Sequence, residues 1–330
     1  MEAETQAVAR VWFSFGALTH SLLVVFPPIA PNYILKLSPK NLILLAAFLV
    51  VSAALCVAYG YFIEPHRLVI TTQTIEPKGW PKALDGYKIV AIGDIHAGSN
   101  GVDDAKLRRI VAETNALKPN LIVLLGDYVS EKNDTELRMP ISEIADGLAG
   151  LSAPDGVLAV LGNHDGFTCP SCIKKEFPRV GITVLDNTVV PVTTANGARF
   201  RVIGLPDHMQ LTYWKVFSDN AKRALAPTEG QGPVIALEHS PDILEVITGD
   251  YLISKDLSLI LAGHTHGGQV RFPILGAPIV SSSYGQKYTR GLIKQNGVQM
   301  FVTSGIGESI LPFRFLVPPE IAELTLTADR

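Results

Sequence analysis

The 330-residue sequence predicts a layered α/β domain that follows one membrane-spanning helix. Two observations indicate this organisation. Residues 42–63 contain no Asp, Glu, Lys, Arg or His, whereas short apolar runs beyond residue 66 alternate with turn residues and amphipathic stretches. Strands that are apolar on both faces belong to sheets covered on both sides, so the alternation is typical of an α/β fold.

The uncharged segment 42–63 is long enough to cross a bilayer. Its 22 residues would rise about 33 Å as a helix, and the hydrocarbon core is about 30 Å thick. A buried helix of a soluble protein would normally carry a polar stripe, which this segment lacks. It begins too far from Met1 for a cleaved signal peptide, so we expect it to remain as an anchor in the bilayer.

The leader, residues 1–41, contains a second apolar segment at 11–26, which includes Ser14, Thr19 and His20. This segment fits a second span, an interfacial helix or a loosely packed leader, and the sequence leaves these alternatives open. We therefore expect a plasma-membrane or inner-membrane protein with one or two spans. Lys and Arg are similarly frequent on both sides of 42–63, so the side that the domain occupies stays open.

Composition excludes several classes. A formal charge of −3 and a pI near 6.2 give no basic surface for nucleic acid. Three cysteines are too few for a disulfide scaffold. Cys169 and Cys172 supply two of the four ligands of a structural zinc, and the simpler interpretation is two loop thiols, which an oxidising compartment would join.

Residues 64–330 are predicted to form the α/β domain. Apolar and β-branched runs between turn residues predict its strands. These runs are residues 67–72, 87–92, 121–125, 157–161, 182–185, 200–203, 234–237, 257–261, 269–272, 300–303 and 321–326. Helices are predicted at 103–117, which opens on acidic residues and stops before Pro119, and at 140–151.

Five of the predicted strands run directly into clusters of Asp, Asn and His. Open α/β sheets place ligand sites at strand carboxyl ends, and glycine before four of the clusters lets the backbone approach a bound ion closely. Five of the eight histidines fall in these clusters. The polar residues are Asp94, His96, Asp127, Asn163, His164, Asp165, His239, His264 and His266.

The residue types narrow the bound ion. Carboxylate, amide and imidazole groups without cysteine suit Mn²⁺, Fe²⁺ or Zn²⁺ better than the all-oxygen sites of Mg²⁺ or Ca²⁺. Seven potential ligands exceed what one tetrahedral ion uses. Two ions about 3.5–4 Å apart, bridged by a shared carboxylate, would accommodate them.

The order D-x-H, G-D, G-N-H-D, H and G-H-x-H resembles the calcineurin-like metallophosphoesterase family. Segments 288–292 and 305–314, together with the N-terminal anchor, resemble its membrane-associated branch. The resemblance implies a four-layer α/β/β/α sandwich. It also implies that Asp94, His96 and His266 bind one ion, that Asn163, His239 and His264 bind the other, and that Asp127 bridges both.

The resemblance also implies catalytic residues. His164 is similar to the family's histidine outside the metal ligands, and Asp165 beside it is expected to orient the His164 ring. Arg290 and Arg314 are candidates for contacts to a substrate phosphate, with surface or core-capping roles as the alternatives. The arginine-bearing G-D-x-V-D-R-G block of the family's protein phosphatases is missing, so phosphoproteins are poor substrate candidates.

These features lead to one expected function and two alternatives. We expect a membrane-anchored hydrolase that cleaves a phosphodiester or pyrophosphate bond by a metal-activated hydroxide. Its expected partners are the bilayer, through the helix, and a small-molecule or lipid-linked phosphate. UDP-2,3-diacylglucosamine, a precursor in lipid A biosynthesis, is a specific option that the resemblance suggests. The alternatives are a non-catalytic scaffold that retains the fold and a nuclease.

Overall fold

The computed structural model describes residues 38–133, 136–210 and 213–328. The chain divides into two compact units, Met1–Phe48 and Leu49–Arg330. The apolar segment 11–26 lies outside the described residues, as does the rest of the leader up to residue 37.

The first helix, α1, spans Pro39–Phe62. Proline is well suited to a first helical position because the N–H that it lacks would have no intrahelical acceptor there. Only Gly60 is buried along α1. In the part of the chain that the structure describes, Pro39–His66 is the one stretch long and apolar enough to cross a membrane. The prediction of an apolar N-terminal helix is confirmed, and its insertion into a bilayer stays a prediction.

The remaining helices lie between strands, as the sequence pattern predicts. Asp103 caps the first of them, because its side chain accepts the Lys106 backbone N–H at 2.8 Å. These helices are α2 Asp104–Ala116, α3 Ile141–Leu148, α4 Asn163–Thr168, α5 Pro170–Arg179, α6 Trp214–Leu225 and α7 Ile243–Ile247.

Most strands coincide with the predicted apolar runs. In chain order they are β1 Val69–Ile75, β2 Tyr87–Ile92, β3 Leu121–Leu125, β4 Glu131–Asn133, β5 Glu136–Leu137, β6 Val157–Val160, β7 Ile182–Val184, β8 Thr188–Thr193, β9 Arg199–Gly204, β10 Val234–Leu237, β11 Leu257–Ala262, β12 Gly291–Gln295, β13 Val298–Val302 and β14 Glu320–Leu326.

Within the described residues, twelve of these strands form two six-stranded sheets. The first has the order β1-β14-β2-β3-β6-β7 and the second β12-β13-β11-β10-β9-β8. Most neighbours are parallel, and the antiparallel pairs are β14 with β2, β12 with β13 and β8 with β9. Strands β4 and β5 form a separate hairpin.

Three apolar layers hold the sheets and helices together. One lies between the first sheet and α2, α3 and α5, the second between the two sheets, and the third between the second sheet and α6 and α7. Strand β2 shows how the sequence builds them, since Ile89 and Ala91 face the other sheet while Val90 and Ile92 face the helices. The expected four-layer α/β/β/α sandwich is confirmed.

Residues 269–272 do not form the predicted strand. Val270 and Phe272 take part only in isolated bridges. The backbone at Gln269 has φ 52° and at Ile274 φ 71°, so the chain cannot stay extended. Conversely, β8 and β12 were not predicted. Each lies at the edge of its sheet, and nearly all of its residues are exposed or half-buried.

The two loop cysteines form a disulfide. Cys169 and Cys172 are joined across the start of α5, with their Cα atoms 5.3 Å apart. Both residues pack against the apolar layer that covers the first sheet. The structure therefore favours a disulfide over two zinc ligands at this position.

The layer between the sheets predicts a large stability effect at Phe200. This ring is fully buried, with centroids 5.2 Å from Trp80 and 5.0 Å from Tyr87. Phe200→Ala should lower the free energy of unfolding by about 3–5 kcal/mol because it leaves a cavity. Guanidinium unfolding of the full chain in detergent measures it. The control is Phe167→Ala, at a side chain 69% exposed; equal losses in the two variants would contradict the packing described.

Candidate metal centre

The polar clusters that follow the strands meet at one edge of the sandwich. Asp94 follows β2, Asp127 follows β3 and Asn163 follows β6, all in the first sheet. His239 follows β10, and His264 and His266 follow β11, in the second sheet. The carboxyl ends of both sheets therefore contribute to one site, as the sequence predicts.

The first group of ligand atoms comes from Asp94, His96 and His266. All three residues are buried, and one ligand atom of each lies within 4.8 Å of the others. The Nε2 atoms of His96 and His266 are 3.2 Å apart, and His266 Nε2 lies 3.6 Å from Asp94 Oδ1. This grouping has the size of a single-ion site.

The second group comes from Asp127, His239 and His264, whose ligand atoms also lie within 4.8 Å of one another. His239 Nε2 lies 3.2 Å from both Asp127 Oδ2 and His264 Nδ1. The same Asp127 Oδ2 is 3.5 Å from His96 Nε2 in the first group. Asp127 thus lies between the two groups, where a bridging carboxylate would be.

Asn163, the seventh expected ligand, begins α4. The next residue, His164, donates its backbone N–H to Asp127 Oδ1 at 2.9 Å. Asn163 Oδ1 is buried and accepts no hydrogen bond, and neither does Asp94 Oδ2. A buried oxygen without a partner typically costs about 1–3 kcal/mol, so both atoms fit a role as metal ligands.

Main-chain carbonyls fix the orientation of three imidazoles. The Nδ1 atoms of His96, His239 and His266 donate to the carbonyls of Val129, Leu125 and Gly307, at 2.9, 2.7 and 3.2 Å. Each Nε2 atom therefore faces the centre, and a neutral ring presents a lone pair there. Facing lone pairs 3.2 Å apart repel unless a proton or cation lies between them.

Burial sets the charge of the site. It lowers the pKa of His96 to about 4 and that of His264 to about 3, so these rings are neutral at neutral pH. It also raises the pKa of Asp94 to about 7. Burial alone would lower the pKa of His239, but the adjacent Asp127 carboxylate raises it well above its usual range. Cations binding here would compete with that proton.

The backbone of the site is held in a sparsely populated conformation. Five of the seven expected ligands have φ between 42° and 70°, which non-glycine residues rarely adopt: Asp94, His96, Asp127, His264 and His266. Each such residue costs about 1–3 kcal/mol, and strain of this kind concentrates at functional sites.

Glycines let the loops of the site approach one another. A Cβ atom at Gly162 would lie 2.2 Å from Asp127 Oδ1, and one at Gly263 would lie 2.6 Å from Asp94 Oδ2. The glycines before the polar clusters are therefore required by close contact of the loops.

His164 lies at the solvent-facing edge of the metal centre. Its side chain is 31% exposed, and its ring is 4.9 Å from that of His96. The expectation that Asp165 orients this ring is corrected by the structure. The Asp165 carboxylate accepts the backbone N–H groups of Asp127 at 2.7 Å and Tyr128 at 2.8 Å. It is Glu131 that holds His164, with Oε2 3.0 Å from Nδ1.

The two arginines do not form the expected phosphate clamp. Arg314 is fully buried and donates to the carbonyls of Ser304 and Val317 at 3.0 and 3.2 Å, and also to Gly307. Its donors are satisfied by the backbone, so it braces the loop beside His266. Arg290 is exposed and makes no hydrogen bond or ion pair among the described residues.

Sequence reasoning missed a third group beside the centre. Asp207, His208 and Glu238 bring ligand atoms within 4.8 Å of one another. Both carboxylates are buried and each has one oxygen without a partner. The sequence signal was the same as for the recognised clusters, namely polar residues after a buried strand. Asp207 and His208 closely follow β9, and Glu238 follows β10 directly.

Taken together, the residues fit a dinuclear site for divalent cations. Two groups of imidazole and carboxylate ligands share Asp127, and two buried oxygens lack any other partner. The mixture of nitrogen and oxygen ligands suits Mn²⁺, Fe²⁺ or Zn²⁺.

Several known proteins are similar to this chain in sequence. A family model described as calcineurin-like phosphoesterase matches residues 87–268, which include every residue of the two ligand groups. The chain is 32% identical to the Bacillus subtilis protein described as uncharacterized metallophosphoesterase YkuE, over 81% of this chain and 89% of that protein.

Two further relatives extend the comparison. The Escherichia coli protein described as phosphodiesterase YaeI is 29% identical over 81% of this chain and 92% of its own length. A Danio rerio protein described as transmembrane protein with metallophosphoesterase domain is 27% identical over 84% of this chain. The matched region spans 61% of that fish protein.

The position of Asp127 predicts its effect on metal content. Asp127→Asn removes the charge shared by both groups and should reduce the bound metal from two ions per chain to one or fewer, together with activity. Elemental analysis of the full chain after metal loading measures the stoichiometry. The matched control is Asp250→Asn, at an exposed turn residue. Two ions retained in Asp127→Asn would contradict the bridging role.

Proposed function

This chain belongs to the calcineurin-like phosphoesterase family, and we propose that it is a membrane-anchored hydrolase of phosphodiester or pyrophosphate bonds. The observation that carries this proposal is the carboxylate of Asp127, which lies within 3.5 Å of imidazole nitrogens from both ligand groups. Two cations, when bound, supply a hydroxide at neutral pH and positive charge beside the phosphoryl oxygens.

His164 is not among the seven expected metal ligands, so its side chain is the one available for proton transfer. Its side chain is partly exposed at the rim, and Glu131 accepts from Nδ1, so Nε2 is the ring atom free to face a substrate. In the charged form of the ring, Nε2–H can donate to the leaving oxygen of a phosphoester. The Glu131 carboxylate holds the ring in this orientation.

We further propose that the substrate is carried by a lipid. The support is the exposed apolar helix α1 and the relative described as a transmembrane protein. UDP-2,3-diacylglucosamine is the specific candidate, which would place the enzyme in lipid A biosynthesis. This candidate requires a cytoplasmic domain, whereas the Cys169–Cys172 disulfide favours an oxidising compartment. Labelling of Cys169 and Cys172 with a thiol reagent in intact cells distinguishes the two locations, because the pair reacts only where it is reduced.

The alternatives have less support. A scaffold without metals would have no need of the five strained ligand residues or of the buried unpaired oxygens of Asp94 and Asn163. A nuclease is disfavoured by the net charge of −3, because phosphate backbones are bound by basic surfaces.

The proposed activity predicts metal-dependent turnover. The full chain in detergent, stripped with chelator, should regain hydrolysis of bis-p-nitrophenyl phosphate when Mn²⁺, Fe²⁺ or Zn²⁺ is added. Turnover that is equal before and after stripping would contradict a metal-dependent mechanism. A folded, metal-loaded sample without turnover would support the scaffold alternative.

A second prediction separates proton transfer from metal binding. His164→Ala should keep both metal ions while turnover falls by about 10²–10⁴-fold, because the general acid is lost. The matched control is His66→Ala, at an exposed histidine outside the centre. Loss of metal in His164→Ala, or turnover equal to that of the control, would contradict the assigned role.

The Glu131 contact predicts a positioning role. Glu131→Gln keeps a hydrogen-bond acceptor but removes the negative charge beside the His164 ring. Turnover should fall by about 10–100-fold while both metal ions stay bound, because the ring is held less firmly in its orientation. Its control is Glu136→Gln, in the same hairpin, which removes only an exposed pair with Lys132. Turnover equal to that of the control, or loss of metal, would contradict this role.

A further inference from the structure

Two loops of the domain, residues 271–279 and 309–316, expose an unusual number of large apolar side chains. We call them the apolar rim. Single exposed apolar residues are ordinary, whereas a contiguous group marks an interaction surface. The exposed members are Phe272, Ile274, Leu275, Ile279, Ile310, Leu311 and Leu316, with Ile274 and Ile310 essentially fully exposed.

The two loops form one surface. The backbone N–H of Arg271 donates to the Phe315 carbonyl at 2.9 Å, and that of Phe315 donates to the Gln269 carbonyl at 3.0 Å. The rings of Phe272 and Phe315 are 5.9 Å apart. The two loops therefore lie side by side, and Phe272, Ile274 and Leu316 line one shared cavity.

The apolar rim packs directly against the last turns of α1. Arg314 donates its backbone N–H to the Gly60 carbonyl at 3.0 Å, and the rings of Tyr59 and Phe315 are 6.2 Å apart. A Cβ atom at Gly60 would lie 2.7 Å from the Arg314 carbonyl oxygen, so glycine permits this approach. Asn100 joins the same elements by donating to the carbonyls of Tyr61 and Pro312.

The backbone of the rim points to a function outside the chain. Ile274, Ile310 and Leu316 have φ of 71°, 66° and 57°. A β-branched residue is a genuine outlier in this left-handed region, where Gly or Asn is expected. Exposed isoleucines at such positions gain no packing within the domain that would offset the strain. This indicates that they contact a partner outside the domain.

We propose that the apolar rim inserts into the interfacial layer of the bilayer that α1 spans. Interfacial elements bury apolar side chains at the level of the headgroups, beside aromatic residues such as those that end α1. Arg271 is the first residue of the rim, no carboxylate among the described residues pairs with it, and its charge suits anionic headgroups. This inference rests on the membrane anchor of the proposed function.

The rim is also tied to the metal centre. Gln269 lies three residues after the ligand His266. Its side chain donates to the carbonyls of Leu311 and Phe313. Gly307 accepts hydrogen bonds from both His266 and Arg314. Docking of the rim would therefore hold the centre close to the membrane surface, where the phosphate of a lipid-linked substrate lies.

Fluorescence quenching in vesicles tests the inference. The full chain is reconstituted in equal amounts of phosphatidylethanolamine and phosphatidylglycerol, with a spin-labelled lipid as quencher. An environment-sensitive dye is attached to the native Cys56 of α1, or, in a Cys56→Ser background, to Ile310→Cys or Lys175→Cys. Lys175 is an exposed residue of α5 and serves as the control.

We expect quenching of about twofold or more at Cys56 and Ile310→Cys, and little at Lys175→Cys, because only the first two sites would contact lipid. Quenching at Cys56 without quenching at Ile310→Cys would overturn the docking of the rim and leave the anchor intact. No quenching at Cys56 would overturn the anchor, and this inference with it.

A second variant separates docking from folding. Asparagine tolerates the left-handed conformation, so Ile274→Asn with Ile310→Asn should leave thermal unfolding unchanged or raise the midpoint. Quenching of a dye at Leu316→Cys should fall in that background. Quenching that stays the same would overturn the role of the two isoleucines.

Discussion

The carboxylate of Asp127 connects the two halves of the proposed centre. It extends from the first sheet to within 3.2 Å of His239, a residue of the second sheet, and within 3.5 Å of His96. Four imidazoles and two carboxylates crowd around this point with several nitrogens facing one another. Without protons or cations these nitrogen and oxygen atoms would repel one another, so the geometry fits a site that binds positive charge.

The rest of the fold keeps that arrangement rigid. The apolar layer between the sheets fixes the distance between the strand ends that carry the ligands. Carbonyls of Leu125, Val129 and Gly307 orient three of the rings, while Arg314 braces the loop around Gly307. Five ligands have a strained left-handed backbone, and the tightly packed residues around them hold it in that conformation.

Much of this could be predicted from the sequence because the signal is local. An apolar run followed by Gly and a polar residue marks the end of a buried strand, and such ends converge in an α/β sheet. The role of Glu131 was not predictable, because its contact with His164 joins residues 33 positions apart. The burial of Arg314 and the left-handed isoleucines of the apolar rim also depend on tertiary packing, which composition and periodicity do not encode.

The central claim is that two ions share the Asp127 carboxylate. Electron paramagnetic resonance of the full chain loaded with Mn²⁺ tests it directly, because two ions about 3.5–4 Å apart couple their spins. The account predicts a spin-coupled signal at two Mn²⁺ per chain. An uncoupled signal from isolated Mn²⁺ at saturating metal would contradict it.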